Sequence, residues 1–506
     1  MAFRAGEERL TIERVVDVAK GGETVEIPAG SLRRIEACRS FVERKLEEKA
    51  VIYGVTTGIG ELAEVVLTKD QIQEFQRYLV YSHSAGYGDP VEPEDVRAAM
   101  LSRIQVLCKG HSGPRAVVVE TLASMLNLGV VPVMCQKGSV GASGDLSPMG
   151  QMALVVMGEG EAFFQGRRMN GKEAMDQAGI PTLVLEARDG LAMINGSNVT
   201  AGMGALELNG TARWIKTSEI ASAMTLDALN ANMKAYDERI HTVRGYAGAV
   251  SSAANIRRVT AGGGFLEAGG KKVQDAYSLR SVPQIHGTAR EGTDFARRMI
   301  ETELNGVGDN PIFFPEDDVL LTGANFQGAP LGLALETLGT SLTMMGVLSE
   351  RRVNRLLNPN LSMGLPAFLT EGAGMFSGMM LAQYTAGALI CENRILAQPA
   401  ITGSIPAAAD QEDFVSMSMT TAIKTKQILK NSEAILGIEL MAAAQALEFR
   451  SWAPGPGVKA AYDAVRRHTR RLREDRPLYD DINRMADVVG SGEIVRAVEN
   501  AVGPLD

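Results

Sequence analysis

The chain has 506 residues with 45% apolar and 22% charged side chains, the make-up of a globular protein too long for one ordinary core. Its formal charge of −9 excludes an electrostatic case for a nucleic-acid partner. Four scattered cysteines without a CxxC and five dispersed histidines without an HExxH suggest neither a disulfide framework nor a metal site, so a cytoplasmic protein with no metal is expected.

The segment from Met1 to Val15 is dotted with charges and has no apolar run of the kind a secretory signal needs. Glu120, Glu336 and Glu350 interrupt the most apolar stretches, so no membrane span is expected. Through about residue 200, short apolar runs such as Val51-Ile52-Tyr53 and Val130-Val131-Pro132-Val133 alternate with glycine breaks. That texture predicts short helices and strands joined by structured loops. Gly138 to Pro148 is glycine-dense and ends at a helix start, with Ser147 expected as the N-cap and Pro148 at the first helical position.

Beyond residue 200 the pattern lengthens. Leu331, Leu335, Leu338, Leu342 and Met345 recur at four-three spacing and predict one helical stripe. The longest helix is expected between Pro406 and Pro454, where Ile428, Leu429, Ile435, Leu436, Ile438 and Leu440 recur among charges. Aromatic residues make up only 5%, and abundant alanine, glycine and methionine suit helices packed closely side by side. The basic run from Arg466 to Arg471, followed by Glu474 and Asp475, is expected on a solvated helix face or a subunit contact. The predicted fold is mainly α: a loop-rich domain over residues 1–200 and a long-helix bundle over 201–506.

The loop at Gly138 to Pro148 is the most informative segment. A tight turn before a helix is its simplest account. A serine-hydrolase elbow fails because Asp145 stands where G-x-S-x-G needs its last glycine, and no GK[ST] ending makes it a Walker loop. Covalent self-modification is a third possibility. The Gly144 nitrogen could attack the Ala142 carbonyl and close a five-membered ring, and loss of water, including the Ser143 hydroxyl, would leave an exocyclic methylene. Gly144 has no Cβ to obstruct the approach. The product would be a strong electrophile.

Around this loop stand Tyr53-Gly-Val-Thr-Thr-Gly58, Ser82-His83-Ser-Ala-Gly86, Gly141-Ala-Ser-Gly-Asp145, Asn195-Gly196, Gln274-Asp-Ala-Tyr-Ser-Leu-Arg280, Asn325-Phe326 and Gln411-Glu412-Asp413. In order and spacing they resemble the histidine and aromatic amino-acid ammonia-lyase family over nearly the whole chain. The resemblance implies a fumarase/aspartase-like helical architecture and a 4-methylidene-imidazol-5-one prosthetic group (MIO) formed from Ala142-Ser143-Gly144, with no metal. It implies a small L-amino acid as substrate, and a homotetramer whose active sites are shared between subunits, with no nucleic acid and no membrane.

Elimination of ammonia must remove a weakly acidic β-hydrogen and expel a poor leaving group, so an electrophile that takes up the amine suits it. The resemblance implies Tyr53 as the base, a role that requires donors or positive helix ends to lower its pKa. It implies Arg280 as a bidentate clamp on the substrate carboxylate and Asn195 as the amide that orients the amine. Gln274 and Tyr277 would line the same pocket from one helix face, Tyr277 among the catalytic residues, with Phe326 as an aromatic wall.

The resemblance reads His83, in a Ser-His pair, as histidine-type, and Glu412 adds to this, since a carboxylate can pair with an imidazole and would be left unpaired by a phenyl ring; together they imply L-histidine as substrate and trans-urocanate as product. Thr56, Ile59, Asn198, Ala276 and Phe414 depart from the histidine-acting pattern. They leave open a tyrosine or phenylalanine ammonia-lyase or a 2,3-aminomutase. A non-catalytic helical assembly protein is the remote alternative.

Overall fold

The computed structural model describes residues 2–506 and is predominantly helical. The chain clusters into two compact units, each drawn from separated segments: Met1–Asn209, Ala296–Glu336 and Pro399–Ile423 in the first, Gly210–Phe295, Thr337–Gln398 and Lys424–Asp506 in the second. The strands are short and all belong to the first unit. They include a parallel pair, Ala2–Arg4 with Thr24–Glu26, and antiparallel pairings of Tyr87–Pro90 with Cys135–Lys137 and of Ile312–Phe314 with Val319–Leu321. A three-stranded sheet orders Val131–Pro132, Glu161–Phe164 and Arg167–Asn170.

Three long helices carry the bundle: Asn198–Ala228, Ala329–Leu357 and Ser418–Leu447. The expected stripe is real, since Leu331, Leu335, Leu338, Leu342 and Met345 are all fully buried on Ala329–Leu357. This helix is also, by length and composition, apolar enough to cross a membrane, contrary to the expectation from its glutamates, although 67% of its most apolar window is buried inside the protein. An apolar core helix passes the same test as a membrane span.

The helix expected to be longest begins only at Ser418 and runs 30 residues, because Ala408, Ala409, Asp410 and Met417 adopt left-handed backbone conformations that hold the preceding segment out of a helix. Asn198–Ala228 is one residue longer, at 31. Its Glu207, Thr211, Thr217, Ser218, Glu219, Ser222, Thr225 and Asp227 are buried along with its apolar residues. A helix covered all round lacks the polar-apolar contrast that periodicity detects.

Two local features set the site. Lys69–His83 starts from a capping box, Thr68 Oγ1 accepting from Gln71 N–H while the Gln71 side chain accepts from Thr68 N–H, and it ends on His83. The helix after the glycine-dense loop is Leu146–Val156, capped at Asp145 rather than Ser147. Ser147 and Pro148 sit within its first turn, where a missing N–H costs nothing. Farther on, the basic run is tied down within the second unit: Arg466 pairs with Glu448 at 2.8 Å, and Arg467 and His468 with Glu493 at 2.8 and 2.9 Å.

Candidate active site

The tripeptide and the Asp145 that follows it are stitched to Gly196 by two backbone hydrogen bonds. Gly196 N–H donates to the Ser143 carbonyl at 3.1 Å, and Asp145 N–H donates to the Gly196 carbonyl at 2.9 Å. Gly144 has φ +77°, and a Cβ there would lie 2.1 Å from the Gly196 carbonyl carbon. Glycine is therefore required both by conformation and by space. Ala142 and Ser143 are 9% and 8% exposed.

Asn195 ends the helix Asp189–Ile194 and is itself buried. A fully buried ion cluster anchors that helix. Asp309 accepts from Arg188 at 2.7 Å and from Arg103 at 2.9 Å, and Arg103 Nε donates to the Ala192 carbonyl at 2.7 Å. Asn195 Oδ1 is buried and has no hydrogen-bond partner among the described residues. Such an atom costs about 1–3 kcal/mol unless a donor is supplied, and a substrate amine would be one.

Glu412 reaches the tripeptide from a hairpin-like turn in which Ala407 and Glu412 exchange backbone hydrogen bonds of 3.0 and 3.1 Å. The intervening Ala408, Ala409 and Asp410 are all left-handed, and strain of this kind is held only where surrounding contacts enforce it. Ser143 Oγ donates to Glu412 Oε1 at 3.3 Å. His83 places Nδ1 2.8 Å from the Leu79 carbonyl, which assigns the proton to Nδ1 and leaves Nε2 as an acceptor. Burial lowers the His83 pKa, with the Leu79 hydrogen bond and the Glu412 charge opposing.

Tyr53 is half-buried and accepts the Gly60 N–H at 3.0 Å. Its pKa is raised, not lowered: burial dominates, Glu412 adds to it, and the Gly60 donor and the Arg188 charge oppose without prevailing. One backbone donor does not outweigh desolvation plus a nearby carboxylate. Phe326 is half-buried, and its carbonyl accepts from Ser197 Oγ at 2.9 Å.

Gln274, Tyr277 and Arg280 belong to the second unit. The helix there is only Tyr277–Arg280, so Gln274 precedes it and does not share a helix face with Tyr277. Gln274 is exposed and Tyr277 is 71% exposed. The Arg280 guanidinium lies 4.6 Å from the centroid of the Tyr277 ring, and its Nε donates to the Asp275 carbonyl at 2.8 Å. Tyr277 and Arg280 line an open cleft of ≈ 510 Å³ with Arg351 and Arg355.

Sequence reasoning named Asp145 only as the residue that breaks the elbow pattern and as the end of the Gly141–Asp145 motif. Its fully buried carboxylate accepts from Thr200 N–H at 2.8 Å, Thr200 Oγ1 at 3.1 Å and Ser139 Oγ at 3.2 Å, and burial pushes its pKa up to about 6. It also missed Gly60 and Arg188, which act on Tyr53; only their position in space marks them. Glu303 is pushed up to about 7, by burial first and then by the Asp145 charge. Unfolded, it would ionise near 4.5. The stabilisation from its retained proton is complete below that value and is lost as pH rises through about 7. Glu303→Gln is therefore expected to match the parent protein near pH 4 and to be more stable above pH 8 by about 2–3 kcal/mol. Denaturant titrations across that range check it, and a pH-independent difference would contradict the assignment.

The sequence model of the family described as aromatic amino acid lyase matches residues 10–467, a span that contains every site residue named above. The chain belongs to the aromatic amino acid lyase family. Among aromatic amino acid lyase relatives, it is 45% identical to a histidine ammonia-lyase of Alkaliphilus oremlandii over 98% of each chain. It superposes on the structure of tyrosine aminomutase from Streptomyces globisporus with a TM-score of 0.95 at 36% identity, covering 100% of both chains. It matches histidine ammonia-lyase from Trypanosoma cruzi with a TM-score of 0.92 at 33% identity, covering 99% of this chain and 96% of that one.

Proposed function

We propose that this protein is a carbon-nitrogen lyase that eliminates ammonia from L-histidine to give trans-urocanate, using a prosthetic group formed from Ala142-Ser143-Gly144. The observation that carries the substrate is Glu412, hydrogen-bonded at 3.3 Å to Ser143 and electrostatically coupled to His83. It puts a carboxylate where an imidazole can meet it, beside the reacting tripeptide. The full-length similarity to histidine ammonia-lyases supports the same substrate.

The residues present fit MIO. Gly144 is held where no side chain is tolerated, the tripeptide is nearly shut off from solvent, and Asn195 offers an unpaired buried acceptor. The group supplies an electrophile that accepts the substrate amine and makes it a better leaving group. Glu412 and His83 hold the imidazole, Asn195 orients the amine, and Phe326 forms a wall. Tyr53 takes the β-proton, and the Gly60 N–H held on its oxygen stabilises the phenolate this requires.

Arg280 clamps the substrate carboxylate, with Gln274 and Tyr277 beside it, in a site shared between subunits of a cytoplasmic homotetramer. The large exposure of the apolar Val273, Tyr277 and Met375, at 99%, 71% and 84%, supports surface that other subunits cover.

The likeness to tyrosine aminomutase supports a second reading, a tyrosine- or phenylalanine-acting lyase or a 2,3-aminomutase. Incubation with L-histidine, L-tyrosine and L-phenylalanine side by side is expected to give urocanate from the first. Cinnamate-type products from the other two, or a β-amino acid, would establish the second reading instead.

A further inference from the structure

A closed circuit of hydrogen bonds runs beside the tripeptide through the Ser139, Thr200, Ser418 and Ser416 hydroxyls and the Asp145 carboxylate, beginning and ending on Gly141. Gly141 N–H donates to Ser139 Oγ at 3.2 Å, and the Ser139 hydroxyl is shared between Asp145 Oδ1 at 3.2 Å and the Gly144 carbonyl at 3.5 Å. Asp145 Oδ1 accepts from Thr200 Oγ1 at 3.1 Å, and the Thr200 and Ser418 hydroxyls are hydrogen-bonded at 3.4 Å. Ser416 Oγ lies 3.1 Å from Ser418 Oγ and 3.3 Å from the Gly141 carbonyl, which returns the circuit to its start. Met417 N–H adds a 2.9 Å bond to the Val140 carbonyl. Gly141 has φ +75°, and a Cβ on it would stand 2.0 Å from Ser416 Oγ, so this arm of the loop, like the Gly144 arm, is packed without space for a side chain.

We propose that Ser139 is a positioning residue for cyclisation of Ala142-Ser143-Gly144, with Ser416, Ser418 and Thr200 holding the same loop from its other side. This rests on the prosthetic-group reading above. In that cyclisation a bond forms between the Gly144 nitrogen and the Ala142 carbonyl carbon. The Ala142 oxygen leaves as water with the protons of the Gly144 and Ser143 nitrogens. The Ser143 hydroxyl leaves as a second water with the Ser143 α-hydrogen. An amide nitrogen is a poor nucleophile, so the step depends on geometry held in advance of reaction. Ser139 supplies it by tying the residue before the tripeptide to its last residue and to Asp145, which keeps the loop bent while the ring closes. Asp145 keeps two bonds from Thr200 when Ser139 is removed, so the helix that follows stays anchored.

The test is intact mass and near-ultraviolet absorbance of purified Ser139→Ala, Ser139→Thr and Ser416→Ala beside the parent chain, with circular dichroism to confirm folding. The parent chain is expected to be lighter than its sequence mass by two waters. Ser139→Ala is expected to fold but to appear mainly at the unmodified mass, Ser139→Thr to recover the dehydrated mass, and Ser416→Ala to be partly dehydrated. Full dehydration of folded Ser139→Ala would overturn the role of Ser139 while leaving the prosthetic group intact. If Ser139→Ala does not fold, full dehydration of Ser416→Ala overturns the circuit as a positioning device. A parent chain at its unmodified mass would remove the prosthetic-group reading and this inference with it.

Discussion

Ser143→Ala is expected to fold like the parent protein and to lose about three orders of magnitude or more of turnover, the scale on which removal of a covalent-catalysis group acts. The two effects separate because Ser143 is tied into the fold by its backbone, not its side chain. Its carbonyl accepts from Gly196 N–H whatever the side chain is, and its hydroxyl makes a single 3.3 Å contact, to Glu412. The parent gives up that contact when the tripeptide cyclises, so the substitution removes no hydrogen bond that the matured protein keeps. The chemistry loses its electrophile altogether, since no hydroxyl remains to leave as water. Near-ultraviolet absorbance, borohydride sensitivity and intact mass report the modification, and urocanate formation reports turnover. A Ser143→Ala protein with full activity would show that the tripeptide is not the electrophile.

Glu412→Gln is expected to lower kcat/KM for L-histidine by about 10–100-fold, the equivalent of the 1.5–3 kcal/mol that a hydrogen bond to a charged partner contributes. Glutamine keeps the length and can still accept hydrogen bonds, so the loss isolates the charge that meets the imidazole. Two pH effects accompany it. Glu412 raises the pKa of both Tyr53 and His83, so its neutralisation lowers both. A less basic Tyr53 deprotonates at lower pH, which should move the alkaline-activated limb of the rate profile down while the maximum rate falls. Kinetics with L-histidine from pH 6 to above pH 10 read both, since the parent Tyr53 pKa is raised above the ordinary tyrosine value. Unchanged histidine turnover would leave the side-chain preference without its main support and favour the aromatic or aminomutase reading.

The residues that carry the chemistry were legible in the chain because the chemistry is local. Ala142-Ser143-Gly144 needs a leaving hydroxyl, little bulk before it and no Cβ after it, and those demands fall on consecutive positions. The stripe from Leu331 to Met345 was legible for a related reason: one face of that helix is apolar, and spacing alone reveals it. The motifs around the tripeptide identified the family without any coordinate.

What the sequence could not settle depends on neighbours far along the chain. Glu412 meets Ser143 across 269 residues, through a turn whose left-handed alanines have no sequence signature. Asp145 rather than Ser147 caps the helix because pairing with Gly196 fixes the loop backbone there. The Asn198–Ala228 helix hid its full length because burial on all sides takes in its polar residues as well. Gln274 and Tyr277 share a spacing but not a helix, since helical structure begins only at Tyr277. The identity of the base was implied by residue type, but the direction of its pKa shift was not: burial and Glu412 decide it against one N–H donor and the Arg188 charge. Sequence alone determined which groups this protein brings to the reaction. Only the tertiary structure decided their protonation and their partners, because desolvation and charge act through space, not along the chain.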